Sequence, residues 1–221
     1  TISEWEDALP SWLHLAYLPK PGLVRLRIDG KHPDKEFLTH EIDRCHTELC
    51  KMLGDHVLCD RDIPIESLII EELRKRGMSL STAESCTGGN IAHTITTIPG
   101  CSDVFNGGVV AYSNQVKENI LGVSSVTLQQ HGAVSEEVVR EMVIGACKAM
   151  NTDCAIATSG IAGPGGGTPA KPVGTVCIGI KIPDRIFTHT YHFPGNRQRV
   201  IERATMTAII QAIELIRGKS I

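Results

Sequence analysis

The sequence predicts an α/β protein: a three-layer α/β/α domain with a mixed, mostly parallel sheet, preceded by a small α+β domain. From about residue 65 onward, amphipathic helical segments alternate with short apolar runs that are typical of buried strands. The chain holds 21 glycines and only 4% aromatic residues, which suits tight turns between strands and helices. Residues 1–63 hold 12 acids and 8 bases, whereas residues 64–221 hold 13 acids and 14 bases. We therefore place a domain boundary between residues 63 and 64.

The first domain is predicted to contain a hairpin followed by a helix. Strands are expected around 12–18 and 23–28, because the intervening Pro19-Lys20-Pro21-Gly22 is a Pro/Gly turn signal. Apolar residues at helical spacing predict a helix over 35–53. A short strand is expected at 56–59.

The second domain alternates helices with strands, which is the pattern of a sheet covered by helices. Helices are expected at 65–77, from Gly88-Gly89 to about 97, at 114–120, at 136–150 and at 196–217. Strands are expected at 79–83, 107–112 and 153–159, followed by a hairpin of 173–182 with 186–193. Ser135 precedes helix 136–150 as its N-cap.

Length and composition exclude several classes of protein. The chain has 221 residues, 42% hydrophobic and 21% charged, which is the balance of a globular protein rather than a disordered one. It contains no run of 18 apolar residues and no pattern of a secretory signal, so we expect neither a membrane span nor secretion. The net charge of −3 argues against a nucleic-acid-binding protein. Because the chain does not begin with Met, we expect it to be part of a longer protein.

The eight cysteines indicate a reducing compartment rather than a metal site. No Cys-x-x-Cys pair occurs. Cys45 and Cys50 lie near His40, His46 and His56, but this spacing matches no common zinc pattern. Most of the other cysteines lie in apolar runs, where cysteine acts as a small hydrophobic residue. We therefore predict reduced, buried thiols in a cytoplasmic protein without a bound metal.

Reactive residues follow three of the predicted strands, in loops 84–89, 112–117 and 158–172. Ligands of such sheets bind beyond the carboxyl ends of the strands. In the first loop, Ser85 lies at a strand-to-helix turn, where free N–H groups of the helix start would stabilise an oxyanion. Alternatively, Ser85 or Thr87 is simply the helix N-cap. The surrounding residues do not form the Gly-x-Ser-x-Gly pattern of α/β-hydrolases.

A serine nucleophile needs a base, and the histidines are poorly placed to supply one. His93 falls inside the helix that leads away from loop 84–89, and His131 precedes Gly132 at a helix end. Lys117 is the candidate instead, because burial or a neighbouring cation can lower the pKa of a lysine until it acts as a base. Taken alone, a lysine in this position is more often a solvated helix residue.

The third loop holds Gly160, Gly163 and 165–167, and glycines let backbone N–H groups approach a phosphate closely. Neither a Walker A motif nor Gly-x-Gly-x-x-Gly occurs, so a plain connection between strands is the alternative. Arg197, at the start of the last helix, is either a clamp for a phosphate or carboxylate or a solvated residue. These patterns alone predict an α/β domain that binds a small anionic ligand.

Five motifs together carry a resemblance to a known family. They are Ser81-Thr82-Ala83-Glu84-Ser85-Cys86-Thr87-Gly88-Gly89, Val109-Val110-Ala111-Tyr112-Ser113-Asn114, Gly132-Ala133-Val134-Ser135, Gly160-Ile161-Ala162-Gly163-Pro164 and Lys171-Pro172-Val173-Gly174-Thr175-Val176. Residues 65–217 thereby closely resemble the C-terminal domain of the CinA (competence/damage-inducible) family, whose stand-alone members are nicotinamide-nucleotide amidases.

The N-terminal part carries a second resemblance. Leu15-Ala16-Tyr17-Leu18-Pro19-Lys20-Pro21-Gly22, followed by Val24-Arg25-Leu26-Arg27, resembles the KH-type domain of full-length CinA proteins. Those proteins carry a further N-terminal domain, similar to molybdopterin-binding proteins and linked to ADP-ribose pyrophosphatase activity. We expect that domain to be missing from this chain.

The family resemblance implies an amidohydrolase that converts nicotinamide mononucleotide into nicotinate mononucleotide and ammonia. This is a step of pyridine-nucleotide salvage that needs no cofactor or metal ion. The resemblance also implies a homodimer.

The resemblance further implies roles for particular residues. Ser85 matches the family nucleophile, Lys117 its base, and Tyr112 the tyrosine near this dyad, which we expect to hydrogen-bond Lys117 or Ser85. N–H groups around 86–88 would hold the oxyanion. The residues expected to bind substrate are Glu84, Cys86, Thr87, Gly88, Ser159, Gly160, Gly163 and Arg197. Ser159 falls where some members of the family have Thr.

Two other functions are compatible with the sequence. One is a non-catalytic interaction module of a competence- or DNA-damage-associated protein, and the other is a nucleotide sensor that uses the same pocket without turnover. A nucleic-acid partner is not expected, because the KH-like part is acidic and lacks the Gly-x-x-Gly loop that clamps phosphates in RNA-binding KH domains. Retention of both Ser85 and Lys117 favours the enzyme.

Overall fold

The protein is described by a computed structural model that covers residues 2–219. The chain forms two compact units, Thr1–Ile63 and Pro64–Ile221, which we call the N-terminal unit and the C-terminal unit. All three loops with reactive residues belong to the C-terminal unit.

The N-terminal unit contains an antiparallel hairpin and one long helix that contacts its second strand. Its elements are helix α1 (Ser3–Asp7), strands β1 (Leu13–Lys20) and β2 (Leu23–Gly30), and helix α2 (Lys35–Leu53). The Asp34 side chain caps α2 by accepting a hydrogen bond from the Phe37 N–H. The predicted hairpin and helix are thus confirmed, whereas the short α1 has no counterpart among the predicted elements.

The strand predicted at 56–59 is wrong. Gly54 ends α2 with a φ of 51°, and Gly54–His56 forms a turn of 3-10 helix. The N–H of Val57 donates to the Gly54 carbonyl, so the backbone turns tightly instead of extending. Within residues 2–219, the sheet of this unit contains only β1 and β2.

The C-terminal unit is a five-stranded mixed sheet flanked by helices, as the sequence predicts. Its elements are α3 (Ile65–Arg76), β3 (Leu80–Glu84), α4 (Asn90–Thr96), β4 (Phe105–Val110), α5 (Asn114–Leu121), α6 (Ser125–His131), α7 (Glu136–Met150), β5 (Cys154–Gly160), β6 (Thr175–Ile182), β7 (Arg185–His192) and α8 (Arg197–Ile216). The strand order is β4-β3-β5-β6-β7. β3 runs parallel to β4 and β5, whereas β6 is antiparallel to β5 and β7.

Helices cover both faces of this sheet. Val139 and Met142 of α7 belong to a buried cluster with Ala155 and Ala157 of β5. Because side chains alternate along a strand, the intervening Ile156 faces the opposite layer. That layer is formed by α8, which contacts β5 and β6 and also packs against α3 and α4.

The loops with reactive residues meet at one edge of the sheet. β3, β4 and β5 are parallel, so their carboxyl ends point the same way. Ser85 follows β3 directly, Ala111 and Tyr112 follow β4, and Gly160 is the last residue of β5. This edge is where open α/β sheets bind their ligands.

Gly145 allows α7 to approach the end of α5, the helix that carries Lys117. A Cβ at this position would lie 1.8 Å from the Leu121 carbonyl oxygen. We expect Gly145→Ala to lower the free energy of unfolding by about 3 kcal/mol, because the two helices would have to separate. Thermal unfolding checks this, with Gly165→Ala as the control, since a Cβ at Gly165 meets nothing within 4 Å. An unchanged midpoint for Gly145→Ala would contradict this packing.

Candidate active site

A cavity of about 250 Å³ lies at this edge of the sheet. The predicted site residues that line it are Ser85, Cys86, Tyr112, Lys117, Ser159, Gly160 and Arg197. Four further lining residues were not predicted, namely Asn114, Ala133, Val134 and Ala162. The predicted residues Glu84, Thr87, Gly88 and Gly163 are not part of the lining.

The cavity contains a serine and a lysine in direct contact. Lys117 Nζ lies 3.1 Å from Ser85 Oγ, and it donates a second hydrogen bond to the Ala111 carbonyl at 2.7 Å. Lys117 is 1% exposed, so the alternative of a solvated helix lysine is wrong. Among residues 2–219, no acidic side chain forms an ion pair with it.

Burial without a counter-ion shifts the protonation equilibrium of Lys117 toward the neutral amine. Desolvation disfavours the ammonium form and lowers the pKa of Lys117 from its ordinary value of 10.5. The lowered pKa increases the fraction of neutral amine, which is the form that can accept the hydroxyl proton of Ser85 and so activate it as a nucleophile.

The backbone after β3 fixes the position of Ser85. Its N–H donates to the Thr158 carbonyl of β5 at 2.9 Å, and its carbonyl accepts from the Gly88 N–H at 3.1 Å. Gly88 and Gly89 adopt positive φ angles of 62° and 96°, which lets the chain turn sharply before α4 begins. Ser85 is not a helix N-cap, because that position is taken by Gly89.

The Glu84 carboxylate accepts hydrogen bonds from N–H groups at the N-terminus of α4. Its carboxylate is 1% exposed and accepts hydrogen bonds from the Thr87 hydroxyl at 2.7 Å and from the N–H groups of Gly89, Ile91 and Ala92 at 3.1, 3.0 and 2.8 Å. The helix start therefore does not offer free N–H groups to a ligand, which corrects the interpretation drawn from the sequence. Glu84 instead holds the loop that carries Ser85.

The oxyanion-binding groups are correspondingly fewer than the sequence suggested. The Gly88 N–H is occupied by the Ser85 carbonyl. Within residues 2–219, no hydrogen bond to another residue uses the backbone N–H of Cys86 or Thr87. These two N–H groups, which follow Ser85 in the chain, are therefore available to bind an oxyanion.

We expect Glu84→Gln to destabilise the protein by about 1–3 kcal/mol, the cost of leaving buried hydrogen-bonding groups unpaired. A glutamine has only one acceptor oxygen, and its amide nitrogen would face N–H donors of α4. Thermal unfolding measures the effect. Glu118→Gln, on the half-exposed side of α5, is the matched control. Equal midpoints for the two variants would contradict this role for Glu84.

Arg197 and Tyr112 form the outer rim of the cavity. Arg197 donates one hydrogen bond to the Gly163 carbonyl at 2.9 Å and another to the Tyr112 hydroxyl at 2.8 Å. Arg197 is therefore not merely a solvated helix arginine. Tyr112 is 62% exposed, and its hydroxyl bonds Arg197 rather than Lys117 or Ser85, contrary to our expectation.

The opposite wall is formed by the end of β5 and the turn before α7. Ser159 is buried, and its Oγ donates to the Ala133 carbonyl at 2.6 Å. Cys86 also lines the cavity, but burial raises the pKa of its thiol to about 12, so it stays protonated at neutral pH.

The described residues show neither a membrane helix nor a metal cluster. No helix within 2–219 combines the length and hydropathy of a membrane span. In the same range, no three His, Cys, Asp or Glu side chains are grouped to hold a metal ion. All eight cysteines are free thiols, and five of them are buried.

Comparison with known proteins agrees with this fold. Residues 62–216 match the family model described as the CinA C-terminal domain. A CinA-like protein of Chloroherpeton thalassium is 43% identical over 219 residues, which are 97% of this chain and 52% of that protein. A CinA-like protein of Flavobacterium psychrophilum is 39% identical over 216 residues, covering 97% of this chain and 51% of that protein. The chain thus spans about half the length of these curated relatives.

Solved structures show the same similarity. A competence-damaged protein (CinA) superfamily protein of Klebsiella pneumoniae has a TM-score of 0.68 and 36% identity, covering 70% of this chain and 96% of that chain. The competence/damage inducible protein CihA of Agrobacterium tumefaciens has a TM-score of 0.66 and 38% identity, covering 68% of this chain and 94% of that chain. Because the family model matches most of this chain, the chain belongs to the CinA family, and residues 62–216 are its CinA C-terminal domain.

Proposed function

We propose that the C-terminal unit is an amidohydrolase that converts nicotinamide mononucleotide into nicotinate mononucleotide and ammonia. The observation that carries the proposal is the contact of 3.1 Å between Ser85 Oγ and the buried Nζ of Lys117, which has no acidic partner among the described residues. A serine beside a neutral amine is a nucleophile with its own base.

The first half of the reaction forms an acyl-enzyme. Neutral Lys117 takes the hydroxyl proton of Ser85, and Oγ bonds to the carboxamide carbon of the substrate. The N–H groups of Cys86 and Thr87 stabilise the oxyanion of the tetrahedral intermediate. Lys117 then returns its proton to the amide nitrogen, the C–N bond breaks, and ammonia leaves.

The second half of the reaction restores the enzyme. Water attacks the Ser85 ester while Lys117 accepts one of its protons. The bond between Oγ and the acyl carbon breaks, Ser85 recovers the proton from Lys117, and the carboxylate product leaves. The hydroxyl proton of Ser85 leaves with ammonia and is replaced by a proton from water, and the proton that the product acid releases on ionising is taken up by ammonia. The cycle therefore consumes one water per ammonia and needs no other reactant.

The charge of the cavity fits an anionic substrate. Its lining, as far as the structure describes it, contains no acid and one permanently charged residue, Arg197. Lys117 is assigned to the chemistry, which leaves the guanidinium of Arg197 for the phosphate of the nucleotide. Tyr112 lies beside it and offers an exposed ring at the rim.

Incubation of the protein with nicotinamide mononucleotide tests the proposal. Enzymatic detection of ammonia, together with mass spectrometry of nicotinate mononucleotide, should show both products in equal amounts. Calorimetry on the same sample measures binding. Binding without ammonia release would identify a sensor, and absence of both would favour an interaction module.

We also propose that residues 1–63 form a KH-like α+β domain that binds no RNA. The hairpin followed by a helix supports the assignment, and the lack of a Gly-x-x-Gly loop supports the absence of RNA binding. A homodimer and a cytoplasmic location remain predictions from the family resemblance and from the free thiols. Sedimentation equilibrium would measure the oligomeric state.

A further inference from the structure

A single turn of chain separates the candidate active site from a second cavity. The turn, 132–135, connects α6 with α7. The second cavity has a volume of about 420 Å³, and Val134 lines both cavities. Lys171, from the loop between β5 and β6, lines the second cavity. We call residues 131–135, which are this turn and the last residue of α6, the partition.

Side chains from outside the partition donate hydrogen bonds to three of its carbonyl groups. Lys171 Nζ donates to the His131 carbonyl at 2.8 Å and to the Val134 carbonyl at 2.6 Å. Between them, Ser159 Oγ donates to the Ala133 carbonyl at 2.6 Å. The conformation of the partition is therefore set by these side chains as well as by its own sequence.

Two hydrogen bonds with Thr168 hold Lys171 in its loop. Its backbone N–H donates to Thr168 Oγ1 at 3.0 Å, and its carbonyl accepts from the Thr168 N–H at 2.9 Å. No ion pair among residues 2–219 includes Lys171. Both hydrogen bonds described for its ammonium thus go to partition carbonyls, and bonds from a charged donor are stronger than neutral ones.

We infer that Lys171 is a positioning residue that fixes the partition and thereby the substrate-facing wall formed by Ala133 and Val134. The kinetic effect expected from this inference rests on the proposed function. Lys171 touches neither Ser85 nor Lys117, so the chemistry should survive its loss. A mobile wall weakens contacts with the substrate and with the transition state equally. The loss of such uniform binding raises KM and leaves kcat unchanged.

The test compares the wild-type chain with Lys171→Met, which keeps the length of the side chain and removes its donors. Lys148→Met, at an exposed position of α7, is the matched control. Hydrogen–deuterium exchange of residues 131–135 should be about tenfold faster in Lys171→Met only. Its KM for nicotinamide mononucleotide should rise about tenfold while kcat and the pH profile stay within about twofold of wild type.

Two results would overturn the inference. One is exchange in the partition that is equal in the two variants. The other is a fall in kcat at unchanged KM, which would place Lys171 in the chemistry. If the wild-type chain itself releases no ammonia, the proposed function fails, and the exchange measurement alone decides whether Lys171 holds the partition.

Discussion

Replacing Ser85 with alanine should lower ammonia release by at least about 10³-fold, because the reaction then has no atom to carry the acyl group. Affinity for nicotinamide mononucleotide should stay within about threefold of wild type, since the hydroxyl removed is small and Arg197 is untouched. Stopped-time ammonia assays and calorimetry measure the two quantities. Ser125→Ala, at the exposed start of α6, is the control and should behave as wild type.

A covalent readout separates the nucleophile from a mere binding contact. Acid quench during turnover, followed by mass spectrometry of the intact protein, should reveal an ester adduct on wild-type protein and none on Ser85→Ala. Activity of Ser85→Ala within tenfold of wild type would exclude Ser85 as the nucleophile. The neighbouring Cys86 does not offer a ready substitute, because burial holds the pKa of its thiol at about 12.

The position of the site was predictable from the sequence because strand order and loop chemistry agree. Loops 84–89 and 112–117 follow strands that prove to be parallel, so their residues had to meet at one edge. The contact between Ser85 and Lys117 was not predictable from pattern, since 31 residues lie between them and a lysine on a helix is usually solvated. Its loop made Lys117 a candidate base, and the family resemblance then paired it with Ser85.

Other parts of the site carry a weak signal or none in a single sequence. Ala133 and Val134 line the cavity as small apolar residues of a turn, which elsewhere would be ordinary packing. Glu84 was expected to touch substrate, yet its carboxylate is directed to N–H groups of α4, because a buried charge must find donors. An acid placed before a Gly-Gly helix start is the signal that could have indicated this.

The failed strand at 56–59 shows the limit of short patterns. Its few apolar residues follow Gly54, which ends α2 in a positive-φ conformation and starts a tight turn. In a window of four residues, one such turn outweighs the preference of the apolar residues for extended backbone.

Lys117 should set the acid limb of the pH profile. The base is the neutral amine, so kcat rises with pH as Lys117 loses its proton and then reaches a plateau. Because desolvation lowers the pKa of Lys117, the midpoint of this limb should lie below 10.5, the ordinary value. A rate that instead falls as pH rises through this range would show that the protonated lysine is the active form.

Lys117→Met should lower ammonia release by at least about 10³-fold, and Lys117→Arg should be equally inactive because a guanidinium does not lose its proton. The methionine variant keeps a long side chain in the buried space next to Ser85. Substrate affinity should change little in Lys117→Met, whose lost group acts in the proton transfer. Activity of Lys117→Arg near that of wild type would exclude lysine as the base.

The same burial predicts that the stability of Lys117→Met relative to wild type depends on pH. A lysine whose pKa is lower in the folded protein binds fewer protons there than in the unfolded chain, so wild-type stability rises with pH between the lowered pKa and 10.5. Below that window, the cost of burying the ammonium is fully present, and Lys117→Met avoids it. The variant also leaves the Ala111 carbonyl without this donor, a cost that does not depend on pH. We therefore expect its thermal midpoint, taken relative to that of wild type, to be highest at acidic to neutral pH. This relative midpoint should fall as the pH approaches 10, and a relative midpoint that is independent of pH or rises with it would contradict a lowered pKa for Lys117.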